Sequence, residues 1–107
     1  MTMVSYWTEV KEVYSHDTFV VISGKYNHKN KNKDDVVRLG LYWKNEEGIG
    51  YPNARGYLAP IVLDEHFIEG FLQFILYQSM KVKNYQAVNN IREVIEKLPK
   101  SGTSKNY

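Results

Sequence analysis

The chain contains no cysteine. That excludes a disulfide framework and any thiolate metal site, and it fits a reducing compartment. Without thiolates a zinc site needs histidines and carboxylates, and His16, His28 and His66 are scattered along the sequence. No apolar run approaches the roughly 20 residues of a membrane-spanning helix. The opening "MTMVSYWTEV" has no charged start leading into an apolar stretch, so no secretory signal is expected there. Catalytic signatures are missing too: there is no GxGxxG, no P-loop, no HExxH and no GxSxG. Gly48 and Gly50 lead into Tyr51-Pro52 and not into a helix, which argues against a phosphate cradle. These absences predict a cytoplasmic protein with no cofactor and no enzymatic activity.

What is present is 107 residues, the length of one domain with a real core. The net charge of +2 says little by itself, but its distribution says more. Residues 1–23, 24–45, 46–70 and 71–107 sum to −2, +4, −4 and +4. Alternating blocks of this kind predict a surface with a positive side. Lysine-rich loops that are merely solvated are the alternative. Nine tyrosines and two tryptophans supply flat apolar faces, some with a polar tip, suited to half-buried sheets and to binding surfaces.

Strand patterns come first along the chain. "VSYWTEVKEVY" at 4–14 alternates imperfectly, and "TFVVISGKY" at 18–26 is rich in β-branched and aromatic residues. "SHD" at 15–17 supplies turn chemistry between them. "NHKNKNKDD" at 27–35 has no apolar residue and reads as a hydrophilic hairpin loop. "VVRLGLYWK" at 36–44 is the clearest strand. Val37, Leu39, Leu41 and Trp43 form one face, and Arg38, Tyr42 and Lys44 belong to the other, which the pattern predicts to be wet. "GYLAPIVL" at 56–63 reads as a fourth strand interrupted by Pro60, which fits an edge or a bulge.

Helix patterns follow. Asp64 is a good N-cap, and Ile68, Phe71, Leu72, Ile75, Leu76 and Ser79 fall on one helical face. Gly70 inside that helix costs about 1 kcal/mol against alanine, which suits a close backbone approach. A second helix is expected over 84–98, capped by Asn84 and stopped by Pro99, with Tyr85, Val88, Ile91, Ile95 and Leu98 as its stripe. The reading is one α+β domain over 1–99: an antiparallel four-stranded sheet followed by two C-terminal helices, with 100–107 as a disordered tail.

The acidic pairs Asp34-Asp35 and Glu46-Glu47 fall in loops, where solvated turn residues are the ordinary reading. Asp64 in "DEH" is explained by its cap role. The remaining chemistry is cations interleaved with aromatics. Lys25, Lys29, Lys31, Lys33, Arg38, Lys44 and Arg55 suit phosphates; Tyr42, Trp43 and Tyr57 suit stacking on bases. This predicts binding of single-stranded DNA or RNA. The competing account is that the rings cover the sheet and the cations keep it soluble. A third reading is a viral or accessory protein-interaction module that inhibits or recruits a host protein.

The runs "VVRLGLYWKNEEG" at 36–48 and "ARGYLAPIVLDEHFIEGFLQFIL" at 54–76 carry a resemblance. Arg38, Trp43, Glu46 to Gly48, Arg55-Gly56, Leu63, Asp64, Glu65 and Phe67 fall in a pattern similar to that of the transcriptional positive-cofactor-like, Whirly-related family of single-stranded DNA-binding proteins. The stretch from Gly56 to Leu63 is longer than that pattern, and a second helix follows where the family usually ends. The resemblance implies a homodimer joined through the helices and single strands bound across the sheets.

Overall fold

The computed structural model describes residues 2–27 and 37–98. The lysine-rich stretch with Lys29, Lys31 and Lys33, and the tail at 100–107, lie outside the described residues.

Strands lead and helices close the chain, as the patterning predicts. β1 (Trp7–His16), β2 (Phe19–Tyr26) and β3 (Val37–Lys44) form an antiparallel meander. The short β4 (Gly50–Tyr51) pairs with the end of β3. β5 (Asn53–Ala54) and β6 (Tyr57–Leu58) form a separate two-stranded arm. β7 (Ile61–Val62) returns to pair with the middle of β3. The expected fourth strand over 56–63 is therefore split. Pro60 cannot donate to a ladder, so the chain belongs to the arm before it and to the main sheet after it. The fourth strand of the sheet's path is Gly50–Tyr51 instead.

Asp64 caps as expected, accepting from the His66 amide at 2.8 Å. It opens a 3₁₀ turn at Glu65–Phe67 before α1 (Ile68–Lys81) begins. α1 ends with Lys83 at φ 62°. The Asn84 amide donates to Ser79 O at 2.8 Å and the Lys83 amide to Met80 O at 3.1 Å. This paired pattern is a Schellman closure, usually built on glycine. Asn84 then caps α2 (Tyr85–Lys97) through the Ala87 amide at 3.2 Å.

The helices cover one face of the sheet. Ile68, Leu72, Ile75, Ala87, Ile91 and Val94 pack with Val13, Val21 and Leu39. The buried stripe of α2 runs through Ala87, Val88, Ile91 and Val94, and Tyr85 stays exposed.

The opposite face is also covered, which differs from the expected wet surface. Val4, Trp7, Val20 and Ile22 form a second core, with Met3, Tyr6, Tyr26, Tyr42, Ala59 and Val62 against it. Trp7 closes this layer. Gly24 and Gly40 open the space for its ring: a Cβ on Gly40 would stand 2.8 Å from Trp7 Cζ2, and one on Gly24 would stand 3.3 Å from Trp7 Cε3. The indole Nε1 donates to Pro60 O at 3.4 Å. The N-terminal segment is tied down by Val4 N to Leu58 O and Leu58 N to Thr2 O, both 2.8 Å.

Candidate functional site

β3 ends in Trp43 and Lys44, and the following turn is made by one asparagine. Asn45 Oδ1 accepts from the amides of Glu47 and Ile49, both at 2.9 Å. Gly48 takes φ 84°, a conformation that costs glycine nothing. The turn brings β4 back so that Trp43 stands opposite Tyr51. Their rings stack with centroids 6.4 Å apart and planes 17° from parallel. On the other flank Trp43 meets Phe19, its partner in β2, at 5.3 Å. Pro52 follows Tyr51, and β7 places Ile61 opposite Leu41. Trp43, Tyr51, Pro52 and Ile61 line an open hollow of about 400 Å³ whose wall is almost entirely apolar. Tyr51 and Ile61 keep nearly half of their surface exposed.

The arm rises directly after Pro52. Ala54 pairs with Tyr57, leaving Arg55 and Gly56 as a two-residue turn with φ 53° and 86°. Two positive φ values match the type I′ geometry that favours Asn-Gly. Arginine in that conformation is strained by on the order of 1 kcal/mol. Arg55 and Tyr57 are exposed, and Arg55 has no ion-pair partner among the described residues. Lys44 is likewise exposed, and its backbone amide is held by Thr18 O at 2.9 Å.

The other expected site residues sit elsewhere. Arg38 bonds Glu65 Oε2 at 3.1 Å, and its side chain is only 17% exposed. Lys25 pairs with Glu9 at 3.0 Å. Tyr42 leans on the second core, where burial and then the Glu12 charge raise its pKa. Burial, followed by Tyr6, does the same for Tyr26. The row Arg38, Tyr42, Lys44 therefore forms no open binding face. The structure gathers Trp43 with Tyr51; Lys44 follows Trp43 on β3, and Arg55 and Tyr57 sit on the arm that rises after Pro52.

Sequence reasoning did not include Pro52 and Ile61. The signal available for Tyr51 was the turn at Asn45 to Ile49, whose hairpin register places Tyr51 across from Trp43. Ile61 carried no such signal, because Pro60 hides the return of the chain to β3.

Among the described residues no group of three histidines or carboxylates is arranged to hold a metal, and no helix is long and apolar enough to cross a membrane. Chain and fold define an α+β domain with a two-sided sheet and an aromatic hollow at its end. Comparison with protein-family models, curated proteins and solved structures gives no match.

Proposed function

We propose that the chain binds single-stranded nucleic acid at the hollow. One observation carries the reading: a half-buried Trp43 stacked on an exposed Tyr51 lines an open hollow beside Pro52 and Ile61. A base laid on such a platform contributes roughly 1–3 kcal/mol whatever its identity. Lys44 and Arg55 then meet the phosphates on either side, and Tyr57 offers a further ring. Arg55 supports this reading, because an arginine held at positive φ is better explained by a ligand than by the turn. Lys29, Lys31 and Lys33 remain candidates for further phosphate contacts. A cytoplasmic, non-enzymatic role belongs to the same proposal.

The test is a fluorescence titration with oligothymidylate. Saturable quenching of Trp43 is expected, with tighter binding than to duplex of the same length. Two phosphate contacts give a log–log salt slope of about −1.4, and Arg55→Ala should remove about 0.7 of it. Trp43→Ala should weaken binding by about tenfold or more, the equivalent of 1.4 kcal/mol. Equal affinity for duplex, or no quenching at all, would sink the proposal.

A second reading is favoured by the hollow's apolar wall. Trp43, Tyr51 and Pro52 also suit an extended proline-containing peptide, the mode of a protein-interaction module. Saturable binding of such peptides without any response to oligonucleotides would select it.

A further inference from the structure

The corner between α1 and α2 is both apolar and exposed. Ile68, Leu72, Ile75 and Ser79 are the buried positions of α1. Towards its end, Phe74, Tyr77 and Met80 lie three residues apart on the outer side, each more than half exposed. Val82 in the turn and Tyr85 at the start of α2 follow, at 68% and 65% exposure. Residues 81–86 are all exposed, six in succession. Apolar surface gathered in this way marks a contact and is not required by the fold.

Charge at the corner has one sign. Residues 70–92 contain no carboxylate side chain, and their charges are Lys81, Lys83 and Arg92. Neither Lys81 nor Lys83 has an ion-pair partner among the described residues. The acids of the helices stand away from the corner. Asp64, Glu65 and Glu69 lie at the far end of α1, and Glu93 and Glu96 in the second half of α2. Lys83 is a second, independent sign. It occupies the left-handed position that closes α1, at φ 62°, where glycine is the unstrained residue. A lysine there costs the turn stability, which points to a use for its charge.

We infer that this corner docks on the surface of a bilayer that carries anionic headgroups. The order of side chains fits that boundary: in Met80-Lys81-Val82-Lys83 each apolar residue is followed by a cation. Met80 and Val82 enter the acyl boundary, while the lysine stems lie along it and set their ammonium groups at the lipid phosphates. Tyr77 and Tyr85 are apolar rings with a polar tip, suited to the headgroup level. The contact is peripheral, since α1 and α2 keep their buried faces on the sheet. Neither two lysines nor a few apolar side chains hold a protein on lipid alone; the two signals act together. The corner shares no residue with the Trp43–Tyr51 hollow, so lipid and oligonucleotide binding are read independently.

Flotation of the full-length protein with lipid vesicles tests this. Binding is expected to phosphatidylcholine vesicles that carry phosphatidylserine, and it should fall with added salt. On phosphatidylcholine alone it should be weaker by about tenfold or more. Lys81→Gln and Lys83→Gln should each weaken binding about fivefold and leave the oligothymidylate titration unchanged. Lys83→Gly is the sharper variant. Glycine fits the turn, so the melting temperature should rise while vesicle binding falls as it does for the glutamine. The lack of cysteine permits a single environment-sensitive dye on an introduced thiol. On Val82→Cys it should brighten and shift to the blue with anionic vesicles, whereas on Glu96→Cys it should not respond. No flotation with anionic vesicles overturns the proposal. So does equal binding to phosphatidylcholine alone, or undiminished binding by the lysine variants, which would place the lipid contact elsewhere on the chain. A Val82 dye that shifts with protein concentration in the absence of lipid would overturn it in favour of a second copy, and one that shifts with oligothymidylate in favour of nucleic acid.

Discussion

Arg55 shows how a single side chain can be separated from its backbone. Its φ of 53° is the type I′ value that asparagine adopts more readily. Arg55→Asn should therefore stabilise the fold by about 0.5–1 kcal/mol while lowering oligonucleotide affinity. Thermal melts and titrations on the same sample check both directions. A loss of stability would make the arginine structural. Gly40 is the opposite case, a residue whose missing side chain is the point. A methyl group there would press on two carbons of the Trp7 ring, at 2.8 and 2.9 Å. Gly40→Ala should cost about 1–3 kcal/mol through overpacking, measured by urea unfolding. Alternation placed Gly40 on a wet face, yet glycine inside a strand also marks close approach, and that second signal is the one the structure bears out. Tyr42 shares this layer, and its raised pKa sets a pH dependence. The unfolded chain ionises its tyrosine near pH 10, before the folded one does. The stability Tyr42 contributes is present below that pH and is lost as pH rises through the higher folded value. Tyr42→Phe should flatten this alkaline limb in melts followed across that range, whereas an unaltered limb would assign it to other groups.

Among the elements, the helices and central strands were legible because burial there follows simple periods. Leu39, Val21, Ile68, Leu72 and Ile75 all face the core that their spacing predicts. β1 was legible in place but not in phase. Glu9 takes φ 52°, and the pairing with β2 slips between Thr8 and Lys11 and again between Glu12 and Tyr14. Trp7 and Val13, which strict alternation puts on one side, thus enter opposite cores. Bulges of this kind re-aim side chains and leave no mark in a two-residue period. α1 carries its own irregularity. Ser79 is fully buried, and its hydroxyl has no hydrogen-bond partner among the described residues. A buried, unpaired hydroxyl costs about 1–3 kcal/mol. Ser79→Ala should raise stability by about 1 kcal/mol in a denaturant titration, and a decrease would show that the hydroxyl is satisfied.

At the scale of the molecule, two cores share one sheet, and charge clamps one of them from outside. Lys11 on β1 bonds Glu93 on α2, which holds that carboxyl below its usual range. The candidate site was half legible: Trp43, Arg55 and Tyr57 were visible as residue types, but the hollow exists only because β4 and β7 both end on β3. The Trp7 layer has one more implication, and it concerns synthesis. Its lid is supplied by residues 2–7 together with 58–62, whose contact spans 53 positions between Trp7 and Pro60. Contacts of such separation are late and slow to form. A nascent chain that has completed β1, β2 and β3 therefore carries Val20, Ile22 and Tyr42 with only the half of their cover that residues 2–7 supply, until the strap through Leu58 and Val62 has left the ribosome. That interval is when two unfinished copies are most exposed to sticking together, and its length is set by the distance in sequence between the two halves of the lid.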